Sequence, residues 1–123
     1  MTIRLRVLPE VFAVCRLEPH AAVPDWAAGE IVSITRTPEE LSIVCREDVV
    51  PPAIRSEKEW RCLSVEGPIP FATTGIAAAI SSPLAAAGIS VFLLSTFDTD
   101  FVLVKERQLA RALDALRASG CSI

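Results

Sequence analysis

Residues 74–104 read TGIAAAISSPLAAAGISVFLLSTFDTDFVLV. Thr73 or Thr74 is placed to cap a helix, and Ile76, Ile80 and Leu84 recur every four residues, which gives that helix one apolar stripe. Gly88 stands where a helix ends in a left-handed residue. Ile89, Val91, Phe92, Leu93 and Leu94 then form a run rich in β-favouring residues. Asp98 and Thr99 turn the chain, and Phe101, Val102, Leu103 and Val104 return as a second strand. Arg61–Glu66 reads as a strand before this unit. Glu106–Ser119 reads as an amphipathic helix after it, with Leu109, Leu113 and Leu116 on one face and Gly120 closing it. The order is β-α-β-β-α-β. The pattern predicts that 75–87 and 106–119 are the two longest helices, packed on one face of a largely antiparallel sheet.

The first half reads as an eroded copy of the second. Val11–Leu17 is a strand, Pro24–Ala28 gives at most one helical turn, and Glu30–Arg36 and Leu41–Arg46 are two strands joined at Thr37–Glu40. Pro51 and Pro52 break the chain, and Ala53–Trp60 has the length of a short helix. Ile3–Leu8 is a further strand with no place in the simple repeat; it has the length to fill the sheet position that the short unit lacks. The expected division is 1–60 and 61–123. A unit of ~60 residues with stunted helices buries little surface, so the two halves are expected to form one inseparable body.

Of the 123 residues, 51% are hydrophobic and the net charge is -3. Mean hydropathy is +0.44, high for a short soluble chain, which calls for a well-filled core or a covered partner surface. No apolar run reaches the ~18 residues that a membrane-spanning helix needs. MTIRLRVLPE lacks the order of a signal peptide, so a cytoplasmic location is expected. Acidic and basic residues are mixed and no basic stripe points to nucleic acid. Cys15, Cys45, Cys62 and Cys121 lie in or beside apolar segments and none forms a CxxC pair; all four are expected to be reduced. His20 is the sole histidine and has no cysteine at ligand spacing, so no metal centre is expected. Neither a nucleophile motif nor a phosphate loop is present, so no cofactor and no catalytic residue are assigned.

Gly75, Ile76, Ala77, Leu84, Ala86, Gly88, Ile89, Ser95 and Thr96 together resemble the signature of the ACT-domain family of small-molecule regulatory modules. STFDTDFVLVKE (Ser95–Glu106) and TRTPEELSIVC (Thr35–Cys45) carry a closer likeness to short proteins with two ACT-like units. Cytosolic arginine sensors, which have the same organisation doubled, and the regulatory domain of aspartate kinases are similar. The resemblance implies an α+β fold of two ferredoxin-like βαββαβ units, the first reduced. It implies a protein that binds an amino acid and regulates others without catalysis, and ACT-like units commonly pair as a homodimer.

Two segments are the candidate site. The loop GPIPFATTG, Gly67–Gly75, combines two stiffening prolines, two glycines that permit close backbone approach, and two hydroxyls. It leads into a helix N-terminus, which carries unpaired amides and about half a positive charge, a setting for a carboxylate. The bland alternative is that the threonines only cap the helix and Phe71 only packs. The turn Thr96–Asp100 offers Asp100 for an ammonium or guanidinium group; its bland alternative is a solvated turn. By resemblance, Phe97 and Asp100 fall on ligand-contacting positions of the arginine sensors. Those proteins also use an acid in the glycine loop, where this chain has Ala72, Thr73 and Thr74, so a smaller or neutral amino acid fits as well as arginine. The candidate ligand-binding set is Phe71, Ala72, Thr73, Thr74, Gly75, Thr96, Phe97 and Asp100. The rival is a ligand-free interaction module. Glu39 and Glu40 read as a solvated hairpin turn.

Overall fold

The alanine-rich stretch folds as helix α1, Ile76–Ala86, and buries its four-spaced residues Ile76, Ile80 and Leu84. The threonines do not cap it. Its N-cap is Gly75, left-handed at φ 85°, and no side chain bonds to the helix start. Thr73 and Thr74 lie outside the cap position, in a turn where the Thr73 amide donates to the Pro70 carbonyl (2.9 Å). At the other end Gly88 takes φ 72°. The Ile89 amide reaches the Leu84 carbonyl at 2.9 Å and the Gly88 amide reaches Ala85 at 3.0 Å. This pairing satisfies two carbonyls that a helix end leaves open, and it seats Ile89 in the core. Helix α2, Leu109–Ala118, ends the same way through Gly120 and Cys121.

The structure, a computed structural model, describes residues 2–123. The strands are β1 (Leu5–Leu17), β2 (Ser33–Arg36), β3 (Leu41–Arg46), β4 (Arg55–Val65), β5 (Val91–Ser95) and β6 (Asp100–Lys105). Short 3-10 turns occupy Glu47–Val49 and Glu106–Gln108. The chain divides into two compact units. One is Pro9–Trp60; the other joins Met1–Leu8 to Arg61–Ile123.

In the second of these, the strand order is β1-β4-β6-β5, with β5 antiparallel to β6 from Val91↔Val104 to Ser95↔Asp100. The two-residue period puts Leu5, Leu63, Val65, Val102 and Val104 on one face. Both helices pack there through Ile80, Leu84, Ala112 and Leu116. The chain end joins this sheet: the Ser122 amide donates to the Ile3 carbonyl and the Leu5 amide to the Ser122 carbonyl. This unit is an α+β, ferredoxin-like body with helices on one face, as its sequence pattern predicts, and 75–87 and 106–119 hold its two α-helices.

In the Pro9–Trp60 unit the order is β2-β3-β1-β4, with β3 antiparallel to both β2 and β1. Ala13, Cys15, Leu41, Ile43 and Cys45 form a buried face, and Trp26, Ala27, Val49, Val50 and Ile54 from irregular segments pack on it. The sequence reading needs correction here. Pro24–Ala28 is a turn, not a helical turn, and Ala53–Trp60 is not a helix. Residues 55–60 open β4 instead, because a helix of such length is marginal alone whereas an extended strand gains ladder partners at once. Glu59 in β4 takes φ 65°, and its amide donates to the Glu47 carboxylate (2.8 Å). The predicted strands 3–8 and 11–17 are one strand, since Pro9 fixes a φ that extended backbone accepts and is exposed. The strand expected at 30–36 shortens to Ser33–Arg36.

Ile80 is fully buried beneath α1. Ile80→Ala is expected to cost ~2–5 kcal/mol, while Ala78→Ser on the exposed face should stay within ~0.5 kcal/mol. Urea denaturation of the two variants checks this.

Candidate functional site

The loop before α1 is tied to the turn between β5 and β6. The Ile69 amide donates to the Asp98 carbonyl at 2.6 Å, and the Thr99 hydroxyl donates to the Val65 carbonyl at 2.7 Å. The turn itself closes through the Thr96 amide on the Thr99 carbonyl (2.8 Å), which the Thr96 hydroxyl also reaches (3.1 Å). Gly67 permits the approach: a Cβ there would stand 3.1 Å from the Asp98 carbonyl oxygen and 3.1 Å from the Thr99 Cβ. The Gly67–Pro68 peptide is cis.

This closure brings Phe71 and Phe97 together edge to face, ring centroids 4.9 Å apart. The rings remain 75% and 79% exposed, so they form a wall over a hollow rather than part of the core. The cavity they border has a volume of ≈ 280 Å³. Of the sequence candidates, Phe71, Thr73, Gly75, Thr96, Phe97 and Asp100 line it; Ala72 and Thr74 do not. Ile69, Pro70, Ile76, Ala77, Ser95 and Thr99, which were not in the candidate set, also line it. Ser95 and Thr99 flank the candidates Thr96 and Asp100, and the two-residue strand period was the available signal for Ser95.

Asp100 is the only charged residue in that lining. Its Oδ1 accepts the Ser95 hydroxyl at 2.7 Å, which orients the carboxylate, and no donor reaches Oδ2 among the described residues. At the start of α1, the first amide with a backbone acceptor is that of Ala79, which bonds to Gly75 (2.9 Å). The amides of Ile76, Ala77 and Ala78 are therefore available, as at any helix start. The Thr73 amide is not, being engaged by Pro70. The arrangement offers one negative group and one partial positive pole in a partly apolar hollow. Among the described residues no cluster of side chains could hold a metal ion.

The ACT-domain family model matches residues 55–118. The chain belongs to the ACT-domain family. A second family model, of an N-terminal domain, matches residues 10–53. Subunit 1 of the bovine cytosolic arginine sensor for mTORC1 is 35% identical over 105 residues, 76% of this chain and 32% of the sensor. The human protein of the same name is 34% identical over the same shares. The chain thus spans about a third of the length of these curated relatives. An X-ray structure of an Agobacterium tumefaciens protein superposes with a TM-score of 0.93 at 41% identity, covering 99% of this chain and 92% of that one. The ligand-free regulatory subunit of aspartate kinase from Thermus thermophilus gives 0.64 at 11% identity over 94% and 96%, a likeness of fold.

Two glycines of the loop are restrained for different reasons. Gly67→Ala is expected to push the loop off the turn and cost ~1–3 kcal/mol. Gly75→Ala has open space but a left-handed backbone, and should cost ~1–2 kcal/mol. In addition, only Gly67→Ala should change the near-ultraviolet circular dichroism of the phenylalanine pair.

Proposed function

We propose that the chain is a non-catalytic regulatory protein that binds an α-amino acid in the cavity beside Phe71 and Phe97. The observation that carries this reading is the pairing of one oriented carboxylate, Asp100, with the available amides of α1 around a hollow of ≈ 280 Å³. The amides of Ile76 and Ala77 take the ligand carboxylate and Asp100 takes its ammonium group. Phe71 and Phe97 cover the side chain. Thr73 and Thr96 supply hydroxyls at the wall, Gly75 lets the helix start come close, and Ala72 and Thr74 shape the loop. The names of the relatives, arginine sensors and a regulatory subunit of aspartate kinase, support an amino acid as ligand and regulation as outcome. The loop has no acid, so the ligand class extends to smaller and neutral amino acids. Regulation follows from differential affinity, because a ligand that bridges the loop and the turn favours the conformation that holds them together. A cytoplasmic homodimer completes the reading. Among the described residues no helix is long and apolar enough to cross a membrane.

The test is a thermal-shift screen against the twenty amino acids. At a hundredfold excess over Kd a ligand adds ~2.7 kcal/mol of stability, a rise of several degrees for a domain of this size. Asp100→Ala should then weaken binding by ~1.5–3 kcal/mol and leave the unliganded Tm unchanged. Equal binding by this variant overturns the site. The exposed phenylalanine pair favours one other reading, a protein-binding surface without ligand. Under that reading no amino acid shifts Tm.

Light scattering should give a mass near twice 13.2 kDa at micromolar concentration. A mass near 13.2 kDa excludes the homodimer.

A further inference from the structure

The Pro9–Trp60 unit carries a hollow of its own, of ≈ 210 Å³, that shares no residue with the phenylalanine cavity. Val14 and Arg16 of β1, Glu40 and Ser42 at the start of β3, and Arg55 and Glu57 of β4 line it. We infer that this hollow is a binding site for a small dipolar molecule with an ammonium group and a carboxylate at opposite ends of an aliphatic chain, an ω-amino acid.

The two-residue strand period places the lining side chains on one face. Cys15, Leu41 and Ile43 belong to the core of the unit, so Val14, Arg16, Glu40 and Ser42 project the other way. Arg16 and Ser42 are direct ladder partners there. Ile54 packs on the same core immediately before β4, which turns Arg55 and Glu57 to the outer face as well.

Four of these side chains are charged, and two already have partners. Arg16 Nη2 donates to the Glu39 carbonyl at 2.9 Å, and its Nη1 stands 3.7 Å from Glu18 Oε1. Glu57 is engaged too. Among the described residues nothing pairs with the Glu40 carboxylate or the Arg55 guanidinium. These two belong to the strands on either side of β1, two strand spacings or ~10 Å apart. That separation keeps them from pairing with each other and sets what can bridge them. An α-amino acid holds both charges on one carbon and reaches only one of the two. A chain of several methylenes reaches both, with its apolar middle against Val14 and the aliphatic stem of Arg16. Arg55 takes the carboxylate. Glu40 takes the ammonium group, and the Ser42 hydroxyl beside it is a further acceptor.

The cationic end is placed by backbone. The Glu40 amide donates to Thr37 Oγ1 at 3.1 Å, and the Thr37 amide donates to the Glu40 carbonyl at 2.9 Å. Ligand capture therefore orders two side chains and leaves the strands where they are.

The experiment is an NMR titration of methyl-labelled protein with glycine, 4-aminobutanoate and 6-aminohexanoate. Saturable shifts of the Val14 methyl groups are expected, with an apparent Kd for 6-aminohexanoate at least about tenfold below that for glycine. Glu40→Gln and Arg55→Gln should each weaken this response about threefold or more at unchanged Tm. Hexanoate and hexylamine, which keep one charge each, test the two ends on the wild-type protein. Both should bind more weakly than 6-aminohexanoate, hexanoate indifferent to Glu40→Gln and hexylamine indifferent to Arg55→Gln. No saturable response at Val14, equal affinity for glycine, or a response that both substitutions leave intact overturns the inference. Shifts confined to the Ala77 and Thr99 methyl groups, which report the phenylalanine cavity, overturn it as well.

Discussion

The hydrogen bond from the Ile69 amide to the Asp98 carbonyl is the constraint on which the candidate site depends. It fixes a loop without regular structure against a turn that the β5–β6 ladder already holds. Thr99 adds a second tie to Val65, and Gly67 leaves the space in which both form. Pro68 and Pro70 lower the number of conformations that the free loop could adopt, so ordering it costs less. Only with the loop in this place do Phe71 and Phe97 meet. The same constraint gives the loop two faces, and Thr73 and Ile76 contribute to a hollow on each.

What the sequence made legible follows from where local pattern and tertiary structure agree. Between Ile76 and Val104 they agree in the main features: the four-residue spacing of Ile76, Ile80 and Leu84, Gly88 at the helix end, and the turn at Asp98 and Thr99 all recur in the fold. Phe97 and Asp100, singled out by resemblance, both line the cavity. In the first half local pattern misled. Pro9 looked like a break, yet an exposed proline is compatible with a strand. Arg55–Trp60 carries helix-tolerant residues, and only its neighbours in the sheet decide for a strand. No local signal shows that Pro70 claims the Thr73 amide. Ile69 and Pro70 lay inside the candidate loop but outside the candidate set, since loop residues reveal their direction only in three dimensions.

The two units solve burial in different ways. The face served by α1 and α2 is built from Leu, Ile and Val and needs helices to cover it. The face in the Pro9–Trp60 unit includes Ala13, Cys15 and Cys45, which project little, and irregular chain carrying Trp26, Val49 and Ile54 suffices. The thiols are free and buried. The Cys15 S–H donates to Cys45, which pushes the Cys15 thiol up, as burial also does. The same bond holds the Cys45 thiol below its ordinary value against the effect of burial.

Charge at the phenylalanine cavity is asymmetric, and the asymmetry bears on selectivity under the proposed reading. The lining contains a carboxylate but no Lys or Arg, so its positive pole is a helix start alone. A simple carboxylate ligand would gain from the amides but would meet Asp100 at the other end of the hollow. A simple amine would gain from Asp100 and oppose the helix dipole. A zwitterion matches both poles: the amides are fixed by α1, and the Asp100 carboxylate is held by the Ser95 hydroxyl at the pair that ends the β5–β6 ladder. Selection for an α-amino acid then needs no cationic residue in the cavity.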